Sequence, residues 1–290
     1  MHYEGDIYRP PSEAYSLIVQ VTVGCTHNGC TFCPNYKSKK FRVKHFDIIH
    51  NDLSQARSYN RHVERVFFAD GDVFCLSTDK LLWLLDDVRM LFPECTRVGV
   101  YSRASQVLSK SHNELQSLKD AGLGILYIGA ESGSDEVLRR VNKGESASQI
   151  TEAVQKAEEN GVTTSVTFIS GLGGRELLEE HAVKTGEMIS AMGASYVGLL
   201  TLLLSPETPL FDDVLTGNFV QLTPLESVGE LELIIGHADC TKDTILRSNH
   251  ASNWLELKGT LPQDKERLLA QIRDAKSDPS SLKPRHLRRL

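Results

Sequence analysis

"SLIVQVTVGCTHNGCTFC", residues 16 to 33, runs an apolar, β-branched segment straight into three cysteines. Both sides of the run 16–23 are apolar, the pattern of a parallel strand covered on both faces. Five further runs of this kind follow: RVFFAD (65–70), RVGVYS (97–102), GILYIGA (124–130), VTTSVTFIS (162–170) and SYVGLLTLLL (195–204). Helical patterns fall between them. Residues 77–92 open on Ser77, a capping residue, and stop before Pro93, while 112–122, 147–161 and 177–193 each end at glycine. Strand–helix units in this order predict an α/β fold, a partial (β/α)6 TIM-like barrel with right-handed crossovers. The pattern changes after Pro209, where 223–238 and 262–277 read as helices. The expected organisation is an N-terminal segment (1–15), the barrel (16–215) and a helical C-terminal extension (216–290) laid against it. The basic end, SLKPRHLRRL (281–290), is expected to be mobile.

Composition narrows the function. The chain has 290 residues, 40% of them hydrophobic and 24% charged, enough to bury a large core. Its net charge of −6 disfavours a general nucleic-acid partner, although a local basic patch remains compatible. The start, MHYEGDIYRPPSEAY, lacks the basic and apolar regions of a signal peptide, and no apolar run approaches the roughly 18 residues that span a bilayer. These features predict a cytoplasmic protein with no membrane partner. Thiols stay reduced there, so gathered cysteines point to a metal or to catalysis rather than to a disulfide.

Cys25, Cys30 and Cys33 have the spacing C-x4-C-x2-C and follow directly on the first strand. Ligands gather at the C-terminal ends of strands in such folds. Thiolates are soft ligands suited to iron–sulfur clusters and to zinc. A [4Fe–4S] cluster held by three cysteines leaves one iron for a substrate or cofactor. The competing reading is zinc, with His27 completing a closed Cys3His site in a non-catalytic zinc-binding module. His27 lies inside the same tight loop, where bringing all four ligands to one ion would strain the chain.

Over residues 16–210 the sequence resembles the radical S-adenosylmethionine (SAM) superfamily. The loop is one residue longer than the usual C-x3-C-x2-C, and Phe32 matches the aromatic found beside the third cysteine. The resemblance implies that Cys25, Cys30 and Cys33 bind the cluster and that SAM chelates the open iron. A flavodoxin or ferredoxin-type donor would supply the electron. ADGDVF (69–74) resembles the motif that binds the SAM amino group, with Asp70, Gly71 and Asp72 as its core. By itself that stretch reads equally as a turn with a capping aspartate. In GAESGS (129–134), Glu131 fits the family position that bonds the SAM ribose. Lys143 falls where a cation near the SAM carboxylate is expected, or else is a helix C-cap lysine beside Gly144. Gly171, in ISGLGGRE (169–176), permits the close backbone approach that adenine binding requires. Ser102 and Arg103, after the third strand, are candidates to line the pocket, Arg103 reading equally as a surface cation. Cys75 reads as packing, and Cys95 and Cys240 are isolated.

RSNHASNWLELKG (247–259) crowds an arginine, two serines, two asparagines, a histidine and a tryptophan into eight residues. Such a set suits recognition of a polar or planar molecule, or an internally bonded loop. Asn249 and His250 are its candidate catalytic residues. The chain resembles the Elp3/MiaB/NifB-type branch, with queuine lyase among the candidate relatives. The expected function is hydrogen abstraction from a small-molecule substrate such as a modified nucleobase or other heterocycle, by a lyase or rearrangement reaction. The rival is an RNA-modifying enzyme using NYKSKKFRVKH (35–45) and the basic tail as contacts.

Overall fold

The computed structural model describes residues 1–289; Leu290, the last residue of the basic tail, lies outside the described residues. The chain divides into two compact units. The first comprises Met1–Asn28, Asn35–Ile128 and Lys156–Thr164, and the second Gly29–Pro34, Gly129–Gln155 and the chain from Ser165 onward.

Unit 1 runs through β1 (Leu17–Gln20), β2 (Thr22–Val23), β3 (Arg42–Val43), α1 (Phe46–Tyr59), β4 (Arg65–Ala69), α2 (Thr78–Leu91), β5 (Arg97–Ser102), α3 (Ala104–Leu108), α4 (His112–Asp120) and most of β6 (Leu123–Glu131). β1, β4, β5 and β6 pair in parallel in that order, with Val19 opposite Phe68 and Val100 opposite Leu126. α2 buries Leu81, Leu84, Leu85 and Val88, the stripe that a 3.6-residue period allows. α4 starts in a capping box, in which Ser111 Oγ accepts from Glu114 N and Glu114 accepts from Ser111 N. Phe67, Ala69, Ile125 and Tyr127 form an apolar cluster with Ile18 and Tyr101. Phe67 meets both tyrosines edge-on, at 5.0 and 5.7 Å between ring centres. Below it Glu13 is fully buried, a costly place for a carboxylate. Arg97, Ser16 and the Tyr127 hydroxyl all donate to it.

Unit 2 holds α5 (Asp135–Arg140), most of α6 (Ala147–Glu159), most of β7 (Thr163–Ser170), α7 (Leu178–Met192), β8 (Tyr196–Thr201), α8 (Pro209–Leu215), α9 (Pro224–Gly236), β9 (Thr244–Arg247), β10 (Lys258–Leu261) and α10 (Lys265–Ser277). β7 and β8 are parallel, with Val166 beside Val197. α9 begins with Pro224 at its first position and a Thr223–Glu226 capping box. α7 and α9 touch through Gly186. A Cβ there would stand 2.5 Å from the Ile234 carbonyl oxygen and 2.7 Å from His237 Cβ, so only glycine lets the two backbones come this close.

The six expected strands and the four expected barrel helices are present, most within one or two residues; the first strand stops at Gln20, with Thr22–Val23 pairing β3 instead, and the last stops at Thr201 rather than 204. The succession of strand–helix units is that of the partial barrel. The extension differs in being only partly helical. β9 lies parallel to β8, with Arg247 opposite Gly198, and β10 returns antiparallel to β9. TILR is too short, and too closely flanked by charge, for its alternation to stand out. The tail is also anchored rather than loose. The Arg288 guanidinium lies 3.8 Å from the centre of the Trp254 ring, and its Nε donates to the Ser252 carbonyl at 2.5 Å. Burial, then the nearby charge of Arg285, lowers Arg288 to about 10. Among the described residues no helix is long and apolar enough to cross a membrane.

Candidate functional site

Unit 1 brings Asp70, Gly71 and Asp72 against the start of the cysteine loop. Asp70 is fully buried. Its Oδ2 accepts from Lys39 Nζ at 3.0 Å, Gln20 Nε2 at 3.1 Å and Gly24 N at 3.3 Å. Its Oδ1 is buried with no hydrogen-bond partner among the described residues. A buried acceptor of that kind suits an ammonium donor. Gly71 donates to the Gly24 carbonyl at 3.2 Å. A Cβ on Gly71 would lie 2.6 Å from the Tyr36 ring and 3.1 Å from Cys25 Cβ, so this approach requires glycine. Asp72, also buried, accepts from Thr26 Oγ1 and from Arg103 N at 3.4 Å, so it ties the cysteine loop to the end of β5 instead of capping a helix through its side chain. Ser102 Oγ donates to the Arg103 carbonyl at 2.9 Å.

Three lysines of the basic stretch 35–45 are used internally. Lys39 serves Asp70, Lys37 Nζ donates to the Asn28 carbonyl at 3.1 Å, and the fully buried Lys44 pairs with Asp52 at 3.2 Å. A row of lysines that reads as an RNA contact is here mostly loop scaffolding.

Unit 2 holds the segment with Cys30, Phe32 and Cys33. Thr31 N donates to the Val141 carbonyl at 2.9 Å, Leu210 N to the Thr31 carbonyl at 3.1 Å, and Asn142 Nδ2 to the Gly29 carbonyl at 3.0 Å. Phe32 packs on Val137, Val141, Leu172, Leu202 and Leu210. Glu131 ends β6 in the left-handed region, at φ 67, which folds its carboxylate back over Gly129. There Lys143 Nζ meets Glu131 Oε1 at 3.0 Å. Burial acts to lower the Lys143 ammonium, but the charges of Glu131, Cys30 and Glu145 outweigh it, so Lys143 titrates above its ordinary value. Gly171, at φ 84, follows β7, and its amide donates to Glu230 at 2.6 Å. Glu230 and its neighbour His181 were not legible as site residues in the sequence, because a glutamate in GELELIIG reads as a solvent-facing helical position.

The RSNHASN segment divides its labour. Ser248, Ser252 and Asn253 are buried. Asn253 accepts from Thr201 Oγ1 at 2.9 Å and donates to the Leu199 carbonyl at 2.7 Å, fixing the loop to β8. His250 Nδ1 lies 2.8 Å from Ser252 Oγ, a local bond of the internally bonded kind. Burial, then the charge of Lys283, lowers the His250 pKa. Asn249 is exposed.

None of the six cysteines is in a disulfide. Cys75 is pushed up to about 12, by burial first and then by Asp72, and is an inert thiol at neutral pH. Cys25, Cys30 and Cys33 are each half-buried. Among the described residues no group of three or more His, Cys, Asp or Glu side chains is arranged as a metal site. The fit to a cluster therefore rests on the donor set: three reduced, accessible thiols on one anchored loop, with a lysine charge beside Cys30.

Residues 19–186, more than half of the chain, match the family model described as the radical SAM superfamily. The heme chaperone HemW of Bacillus subtilis is 21% identical over 62% of this chain and 47% of its own length. The chain spans less than half the length of the curated relatives it matches. Methylornithine synthase has a similar fold, with a TM-score of 0.56 and 13% identity over 89% of this chain and 68% of that one. So does the methyltransferase TsrM of Kitasatospora setae, solved with tryptophan and a SAM analogue, with a TM-score of 0.54 and 20% identity over 68% and 38%. At these identities the structural likeness speaks for the fold alone. The family match, together with the three-cysteine loop after β1 and the glycine-bearing turn after β4, establishes that the chain belongs to the radical SAM superfamily.

Proposed function

We propose that the chain is a radical SAM enzyme that takes hydrogen from a small-molecule substrate. Members of the superfamily use a [4Fe–4S] cluster and SAM. When bound, these supply reductive cleavage of SAM to methionine and a 5′-deoxyadenosyl radical, which abstracts hydrogen from an unactivated carbon. The chain's own residues hold and orient. Cys25, Cys30 and Cys33 would ligate three irons as thiolates, and Lys143 interacts electrostatically with Cys30. Asp70 Oδ1 would accept from the SAM ammonium, Glu131 would bond the ribose, and the Gly171 loop would take the adenine. The observation that carries this reading is the cysteine loop, anchored at Thr31 and Gly29 with all three thiols unbridged.

The substrate we propose is a modified nucleobase or another heterocycle, undergoing elimination or rearrangement. The exposed Asn249 and the half-buried His250 offer hydrogen bonds to a heteroatom-rich ring. TsrM, a fold neighbour, was solved with tryptophan as substrate. The donor would be a flavodoxin or ferredoxin and the compartment the cytoplasm. Anaerobic reconstitution tests the reading. The expected result is four irons and four sulfides per chain, a brown chromophore and 5′-deoxyadenosine on reduction with SAM. A colourless protein holding one zinc would refute it.

A further inference from the structure

Glu230 of α9 and His181 of α7 are both fully buried within unit 2. Glu230 Oε2 accepts from Ser170 Oγ and from Gly171 N, each at 2.6 Å. The other oxygen, Oε1, has no hydrogen-bond partner among the described residues and stands 4.0 Å from His181 Nε2, which has none either. On the far side of the imidazole, Nδ1 lies 2.8 Å from Ser132 Oγ, and Ser134 N donates to that same oxygen at 3.0 Å.

The proton positions follow from this pattern. Two donors occupy Oε2, so the carboxyl proton belongs on Oε1, facing the lone pair of Nε2. In the tautomer that matches this placement, His181 carries its own proton on Nδ1 and donates to Ser132. Burial favours the uncharged form of both groups. It raises Glu230 to about 7 against the bonds from Ser170 and Gly171, and lowers His181 to about 4 against the Ile169 carbonyl. The 4.0 Å gap exceeds a direct hydrogen bond, and one bridging water or a small side-chain shift closes it. Ser132, His181 and Glu230 line up as hydroxyl, imidazole and carboxyl. Ser132 is fully buried, however, so it meets no substrate and the line is a tether.

We propose that Glu230 and His181 form a neutral, proton-sharing pair that locks the loop after β6 (132–134) to the loop after β7 (171–174) and so positions Gly171 for SAM. The proposal rests on the reading above, in which both loops serve SAM. Glu230 is a positioning residue: it holds the Gly171 amide, and its other oxygen reaches Ser132, next to Glu131, only through His181.

Amide hydrogen exchange on the cofactor-free protein reads the lock without any SAM. Glu230→Ala should speed exchange at Gly171 and, through His181, at Gly133 and Ser134, by about tenfold or more. Glu230→Gln keeps an acceptor for Gly171 and presents an N–H to Nε2, so it should restore protection in both loops. If the alanine variant does not fold, His181→Phe carries the test by removing the link, and Gly133 and Ser134 should loosen by a similar factor. Acceleration confined to Gly171 overturns the lock, as does a glutamine variant as loose as alanine, or unchanged protection in His181→Phe. SAM affinity is measured on the same variants. Weak binding by Glu230→Ala with recovery in Glu230→Gln supports the positioning, and unchanged affinity with both loops loosened overturns it. Wild-type protein that never binds SAM would refute the functional reading, while the exchange data still decide the lock.

Discussion

Lys143 Nζ sits 3.0 Å from Glu131 Oε1, and both side chains are almost wholly buried. Removing Glu131 takes away the largest of the negative charges that balance Lys143. Glu131→Ala is expected to lower stability on the order of 3 kcal/mol by this route. It should also weaken SAM by about 1.5–3 kcal/mol, the loss of one charge-assisted hydrogen bond, with the cluster spectrum intact. Calorimetry and a SAM titration check the two effects separately. A destabilised variant with unchanged SAM affinity would leave Glu131 as the lysine's counter-ion alone.

Each of Cys25→Ala, Cys30→Ala and Cys33→Ala should lose the cluster chromophore and all 5′-deoxyadenosine formation. Cys75→Ala should retain both, since that thiol is held protonated by burial. Iron analysis and product chromatography on the four variants give the answer. Full SAM cleavage in any of the first three would end the ligand assignment.

Stability against pH should separate Glu230 from His181. Unfolded glutamate keeps its proton only below about 4.5, but native Glu230 keeps it to about 7. The native state therefore holds more protons across that window, and stability falls as pH rises through it. His181 acts in the opposite direction. Native imidazole stays neutral down to about 4, while the unfolded one protonates below 6.5, so stability rises with pH between them. In the wild type the two slopes nearly cancel. Glu230→Gln should leave the rising slope and His181→Phe the falling one, each on the order of 3 kcal/mol in total. Denaturant midpoints from pH 4 to 7.5 measure this, and parallel curves for all three proteins would contradict it.

His250→Ala should keep the cluster and slow, substrate-independent SAM cleavage while losing most turnover of the true substrate. The local bond to Ser252 is worth about 1 kcal/mol, so the fold should survive. Asn253→Ala is the contrasting variant. Two of its three buried bonds fix the loop to β8 and the third ties it to Ser248 within the loop, and their loss should cost stability, on the order of 2–3 kcal/mol, before any effect on chemistry is read. Normal substrate turnover by His250→Ala would leave the segment as scaffolding.

The strands and barrel helices were readable because hydrophobic runs and capping residues are local signals. Glu131 stood out for a related reason, as a charge at the end of an apolar strand. Lys39 and Lys44 were misleading, since a lysine in a basic run looks solvated and only the fold puts Asp70 and Asp52 beneath them. Glu230 and His181 gave no signal at all. Each occupies an ordinary helical position, and only the packing of α7 on α9 removes them from water. β9 escaped notice because four residues carry too short an alternation to outweigh the helices on either side.

That packing depends on Gly186, little more than one turn from His181 on α7, just as Ile234 is one turn from Glu230 on α9. The glycine works as a gauge. Its missing side chain sets how far apart the two helix axes run, and therefore how wide the gap between imidazole and carboxyl is. A single methyl group at 186 would act as a shim, prising the pair apart while leaving both titrating groups chemically unaltered. The seat of a buried acid against its neighbour is thus set by the girth of a residue that carries no charge.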